Sequence, residues 1–421
     1  MCQYLEMGFI MPDERQILRE LAGAYSVIAH DTHNAERIKL HKASNSLCMI
    51  RPVVLIDELP WSELNFNGEL TLKCIDPVLR DIELYMRREL YKFRYLRADM
   101  IVRPYIPIKK IIHSTGIGLT VEEKTISTNA EREIVSHKYF DQLSRIEDVE
   151  KFQFSKIRYD SEETDRHYQK VGEIIGDIIP VKKVGLDHVS IGPWDTITQL
   201  RGVTPILVDL LENPELCHAM VSKLTDIMMD INEQYLHLGL FDNDPWSLHC
   251  TPIMCDELYP DDFTGSHKDF QTIWGRGAAQ LFGAVSKEIH YEFDIMYMID
   301  TIGRCGLTYY GCCEPLDKRI DIVEKIPNLR KISITPWADI QIASEVIGKK
   351  YVVASKPNPA NVGVSVLNEE ALRNEIGKII NACKKNNCSF DIVLKDISTC
   401  GNRPQNIFDW EKIVMEMVCN C

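Results

Sequence analysis

The sequence predicts an α/β protein: a (β/α)8 TIM barrel with an N-terminal helical extension and an insertion over the barrel mouth. Three observations carry this. From Gly306 to Ala360, three short apolar runs (Leu307 to Tyr310, Lys331 to Ile334, Tyr351 to Ala354) alternate with two segments of helical period, the pattern of a parallel sheet. Runs of this kind, near residues 50, 101, 189, 248, 308, 332, 352 and 392, number eight along the chain. Most end in residues ill suited to packing, such as Gly311-Cys312-Cys313-Glu314, Pro336-Trp337-Ala338-Asp339 and Lys356-Pro357-Asn358-Pro359. In a barrel, the loops after the strand C-termini build the active site.

The N-terminal part, residues 1–47, reads as helical. Apolar residues at Ile17, Leu18, Leu21, Ala24, Tyr25 and Ile28 form a helical stripe, and a charged helix follows over about 35–43. The barrel then spans 48–421. Met49 to Leu59 is its first strand and Asp99 to Ile106 its second, with a helix over 75–95 between them. Residues 108–183 mix polar, charged and β-branched residues and read as the insertion, a lid over the mouth with a helix near 165–178. His188 to Ile191 is the third strand and Trp246 to Thr251 the fourth. Between them Asn213-Pro214-Glu215 opens a long helix, with a capping residue, a proline at the first helical position and an acid in the first turn. Residues 275–283 are Gly-rich without phosphate-loop spacing. Phe390 to Ile397 is the last strand, and a final helix covers about 406–419.

The 421 residues are 45% hydrophobic and 26% charged, enough for a large core. The net charge of −14, without a basic block interleaved with aromatics, excludes nucleic acid as the expected partner. No apolar run reaches the roughly 18 residues of a membrane span, and the first residues lack a signal-peptide pattern. Fourteen irregularly spaced cysteines then predict a reduced, cytoplasmic protein rather than a disulfide framework.

The chemistry is expected at the strand ends. Cys312 and Cys313 follow one strand and Cys400 another, so in a closed barrel their thiolates would meet at the mouth. With a carboxylate or imidazole they would make a tetrahedral zinc site with an open position. One of the adjacent pair must point away, because strand side chains alternate. His249 and Cys250 are further candidate members. The catalytic candidates are Glu314, as ligand or base, together with Asp57 and Lys356. Trp337, Trp194, Tyr310 and His249 are the candidate substrate-binding residues, the tryptophans as an apolar wall for a ring. Glu58, Arg103, Asp195, Asp339, Asp396 and Thr399 also stand at strand ends.

On these residues the sequence resembles the uroporphyrinogen decarboxylase superfamily, most of all its zinc methyltransferase-like branch in corrinoid systems. The match runs over Gly306 to Asn361 and returns at Lys395 to Ile407. Relatives end one strand in His-x-Cys and a later one in Cys. Here Tyr310-Gly311-Cys312 and Thr399-Cys400-Gly401 stand at those places. The resemblance implies a methyltransferase of an O-demethylase-type system, with zinc as Lewis acid. It would move a methyl group between a small substrate and a corrinoid carried by a partner protein. It also implies a homodimer. The expected histidine is Tyr310, so Cys313, Glu314 or a residue from another strand must complete the ligand set. No Arg-rich segment stands near Arg51, which disfavours porphyrinogen decarboxylation. The alternatives are a metal-free lyase using Asp57 and basic groups, and a non-catalytic barrel that binds a corrinoid or a partner.

Overall fold

A computed structural model describes residues 13–126 and 136–420. The start of the helical extension (residues 1–12), residues 127–135 of the insertion, and Cys421 lie outside the described residues.

The frame is one sheet of seven parallel strands. In chain order they are β1 (Val53–Ile56), β2 (His188–Ile191), β3 (Trp274–Gly277), β4 (Leu307–Tyr310), β5 (Leu329–Ile334), β6 (Val352–Ser355) and β7 (Ser389–Leu394). Their spatial order is β1-β7-β6-β5-β4-β3-β2, every pair parallel. Among the described residues no ladder joins β1 to β2, so the ring of eight strands does not close. The free edge of β1 is covered by Asp99. Its amide donates to the Val54 carbonyl at 3.0 Å, and its carboxylate accepts the Val54 amide at 2.9 Å while pairing with Arg51. This satisfies an edge that would otherwise invite another strand.

Two expected strands are corrected. Asp99 to Ile106 makes no ladder with the sheet. Pairing begins only at Ile106–Lys109, which joins Val181–Val184 in a separate two-stranded piece. Trp246 to Thr251 is not a barrel strand either. It is a tight hairpin, Ser247–Leu248 against Thr251–Pro252, turned by His249 and Cys250. Both turn residues have positive φ, 32° and 57°, the backbone a two-residue hairpin requires. The strand at that place in the sheet is β3, whose sequence Trp-Gly-Arg-Gly carries almost no β-propensity. It belongs there because the short helical turn Ile302–Arg304 and its neighbours press on it. A Cβ on Gly275 would stand 2.9 Å from Cys305 Sγ, and one on Gly277 2.7 Å from Met298 Sδ.

Strand period sorts the side chains. Val54, Ile191, Ile332, Val353 and Ile392 face outward into one large apolar cluster with the helices, including Ile376 and Ile380 of Glu369–Lys385 and Trp410 of Gln405–Cys419. The opposite parity faces inward: Trp274 and Arg276, Tyr309, Lys331, Ala354, then Asp391 and Lys395. This inner face is packed by the 247–258 segment, whose Leu248, Ile253, Cys255 and Leu258 cluster with Trp274, Leu307, Tyr309 and Ala354. A second apolar cluster joins helices Glu14–Ala29, Pro77–Tyr95 and Ser161–Ile175. The helix of the insertion therefore begins four residues earlier than its sequence suggests and packs on the N-terminal helix. No helix among the described residues is long and apolar enough to cross a membrane.

Lys331 is the pin of the inner face. Its ammonium, fully buried, donates to Asp391 Oδ2 at 2.6 Å, to the Pro252 carbonyl at 2.8 Å and to Asn45 Oδ1 at 2.9 Å. Replacing Lys331 with Met should cost about 3–5 kcal/mol, because Asp391 is left as an uncompensated buried charge. The double change Lys331→Met with Asp391→Leu should recover most of that loss. Urea unfolding of the two variants checks this. A single change costing under about 1 kcal/mol, or a double change no better than the single, contradicts it.

Candidate functional site

The site forms where the tip of the inner hairpin meets the C-terminal ends of β1, β4, β6 and β7. From β6, Lys356 reaches in and donates to the Cys250 carbonyl at 2.6 Å, which fixes the turn. Lys356 is fully enclosed, and burial pushes its ammonium down to about 8. From β1 comes Glu58, and the ligand atoms of Glu58, His249 and Cys250 all lie within 4.8 Å of one another. From β4 comes Cys312, whose Sγ lies 3.1 Å from His249 Nε2. From β7 come Lys395 and Asp396, paired at 2.8 Å. Asp396 donates its amide to Glu58 Oε2 at 3.1 Å.

The backbone here is unusual. Glu58, His249, Cys250 and Asp396 all have positive φ, between 32° and 57°. Such conformations are unfavourable for residues with a Cβ and persist only where surroundings impose them; they gather at functional sites. Gly311 turns the chain out of β4 at φ +104°, and a Cβ there would stand 2.7 Å from Leu316 Cδ1 and 3.0 Å from Ser333 Cβ. That turn delivers Cys312 to the inner side, although Tyr310, two residues before, faces outward.

The electrostatics concentrate one negative charge on sulfur. Cys312 and Cys313 lie Sγ to Sγ at 3.6 Å. The contact with the Cys313 sulfur, together with His249 and the Lys395 ammonium at 3.5 Å, holds Cys312 far below the ordinary thiol range. Cys313 is pushed up in turn, first by its bond to Cys312 and then by burial. Burial also raises Cys250, with the Asp57 and Glu58 carboxylates adding to it. Burial and the neighbouring Asp396 raise Glu58, whereas Asp396, desolvated but bonded to Glu58 and Lys395, is lowered.

Not all of the expected site residues meet. Cys312, Cys313 and His249 are neighbours, but Cys400 is held elsewhere. Its thiol donates to Glu63 Oε2 at 3.2 Å, and burial with that carboxylate pushes it up to about 12. Cys312, Cys313 and Cys400 do not form a group with all sulfurs within 4.8 Å of one another. Glu314 is buried behind the loop, where its carboxylate accepts the amides of Cys312 at 2.9 Å and Ala279 at 3.1 Å. Asp57 is exposed and accepts the Glu58 amide at 2.9 Å. Trp194 is buried against Phe282 with its indole N–H on the Phe293 carbonyl, whereas Trp337 is 69% exposed, so the two do not build one wall. Tyr310 is buried on the helix side, its hydroxyl donating to Asp294 Oδ2 at 2.5 Å with His290 Nε2 at 2.6 Å.

Lys395 and Arg276 escaped the sequence reading. Both sit at inward-facing positions of strands, and that parity was the signal. Arg276 reaches Ser190 Oγ at 3.5 Å and, among the described residues, has no carboxylate within 4.0 Å. No family model and no curated protein matches the chain.

The Tyr310 network has a pH signature. Asp294 lies in the wide turn Tyr291–Ile295 of its helix, and burial pushes its carboxyl up to about 7. The folded chain then keeps a proton that the unfolded chain loses near the ordinary carboxylate value. Stability from this group therefore falls as pH rises from about 4 to about 7 and stays level above. Unfolding free energies across that window should fall more steeply for wild type than for Asp294→Asn. Parallel curves would contradict the assignment.

Proposed function

We propose that the chain is the methyl-transferring component of a corrinoid system, with a zinc site at the rim of a (β/α)8-type barrel. The observation that carries this reading is the meeting of Glu58, His249 and Cys250, with Cys312 beside His249, on imposed backbone conformations at the strand ends. A carboxylate, an imidazole and thiols are the donors zinc takes. The ligand set proposed is His249, Cys250 and Glu58, with Cys312 adjoining. It differs from the Cys312, Cys313 and Cys400 set that the resemblance implies. Zinc held there would supply Lewis acidity toward the oxygen, nitrogen or sulfur that carries the methyl group.

The chain's own residues have separate tasks. Lys356 holds the turn that presents His249 and Cys250. Glu314 fixes the loop that presents Cys312. Lys395 neutralises the Cys312 thiolate, so that sulfur needs no metal for its charge. As a ligand Glu58 would be ionised, and the Asp396 amide at 3.1 Å orients its carboxylate. The corrinoid would arrive on a partner protein, and the methyl donor or acceptor would be a small molecule. A cytoplasmic homodimer completes the proposal. Lys395 beside Cys312 also favours a second reading, a metal-free lyase, which release of carbon dioxide from a small acid would reveal.

Metal analysis of the purified protein separates the ligand sets. About one zinc per chain is expected, lost in His249→Ala and in Cys250→Ser and retained in Cys400→Ser. Zinc retained in the first two variants, or lost in the third, would overturn the assignment.

A further inference from the structure

A cavity of about 580 Å³ opens where β1 and β2 leave the sheet unclosed, within the size range of small-molecule sites. Asp57 and Trp246 line it, and they stand one and three residues from Glu58 and His249. Its walls are largely apolar, with Leu55, Leu96, Met100, Pro107, Ile112 and Leu186. Five cationic side chains line it, and their partners differ. Lys92 pairs with Glu89, Arg97 with Asp31, and Lys110 donates to the Gly239 carbonyl at 2.8 Å. Lys109 is exposed. Arg103 is half-buried, yet no carboxylate lies within 4.0 Å of it among the described residues and its guanidinium has no hydrogen-bond partner there. What it has instead are two rings, Trp246 at 5.5 Å and Tyr105 at 6.0 Å from the guanidinium carbon. Aromatic flanks orient a guanidinium while leaving its N–H fork unspent.

We propose that this cavity binds a small molecule with a carboxylate on a compact apolar body, the carboxylate received by Arg103. A planar carboxylate is the group that matches the guanidinium fork with two parallel hydrogen bonds. None of the acids that also line the cavity forms a hydrogen bond or a close ion pair with Arg103. Glu89 is taken by Lys92, Asp242 Oδ1 accepts the Gly185 amide at 2.9 Å, and Asp57 accepts the Glu58 amide. Asp187 is the remaining one; it acts on Arg103 only through space, from beyond 4.0 Å, and leaves the guanidinium fork without a hydrogen bond. The inference names the substrate class for the transferase proposed above and to that extent rests on it. The binding itself requires no metal.

Calorimetric titration with benzoate, and with benzamide as its neutral isostere, tests it on the full chain. Benzoate should bind at least about tenfold more tightly than benzamide. Arg103→Gln should remove that preference, and Arg103→Lys, which keeps the charge without the fork, should keep only part of it. Equal affinity of wild type for the two probes, or no benzoate binding, overturns the proposal even if the variants fail to fold. A preference that survives Arg103→Gln overturns it as well. Zinc content measured on the same samples separates the two claims: benzoate binding in zinc-free protein leaves the carboxylate site standing and removes the metal reading.

Discussion

The structure depends on buried lysines that face the inside of the sheet. An enclosed ammonium must find acceptors, since leaving it unpaired costs several kcal/mol. Lys331 finds Asp391 on β7, across β6 on the same inner face, Asn45 on an N-terminal helix and the Pro252 carbonyl on the hairpin. Lys356 finds the Cys250 carbonyl. These bonds tie the 247–258 segment to the inner wall. They fix the height at which its tip, His249-Cys250, meets the strand ends. The left-handed turn is held by the buried Lys356 ammonium, for which the Cys250 carbonyl is the hydrogen-bond acceptor.

Charge explains why one sulfur is special. Cys312 has an imidazole on one side and the Lys395 ammonium on the other, with the Cys313 sulfur beside it. Cys250 has carboxylates as neighbours and Cys400 has Glu63, and both are held as thiols. Burial is the first cause that raises Cys250 and Cys400, with a carboxylate adding to it, whereas the bond to Cys313, then the imidazole and the ammonium, lower Cys312. A bound cation would reverse the position of Cys250, which is why the proposed metal site and the thiolate at Cys312 are neighbours and not the same place.

How much of this was legible in the sequence follows from burial. Strands β4, β5, β6 and β7 are buried on both faces and are rich in apolar and β-branched residues, so their places were visible. β3 was hidden because helix packing demands glycine where a strand signal would need branched residues. The hairpin was misread as a strand because Trp-Ser-Leu-His-Cys-Thr alternates as a strand does. Its turn consists of His and Cys, without the Asn-Gly signature that usually marks such a reversal. The insertion was obscure because its strands carry little apolar signal: Glu123–Ile126 is exposed throughout and Ser136–Tyr139 nearly so. For the candidate site, proximity to strand ends pointed to Cys312, Cys313 and His249, which the structure places side by side. It also suggested Cys400, which a local carboxylate had already engaged, and it missed Lys395, whose neighbour Asp396 drew the attention.

The most direct test of the central claim is X-ray absorption at the zinc edge on the metal-loaded protein. A site made by the hairpin tip predicts a mixed first shell of nitrogen and oxygen with one sulfur, or two if Cys312 joins, at the usual distances of about 2.0–2.1 Å for nitrogen and about 2.3 Å for sulfur. A shell of three sulfurs would restore the cysteine-only set and contradict the account, as would a protein that binds no zinc.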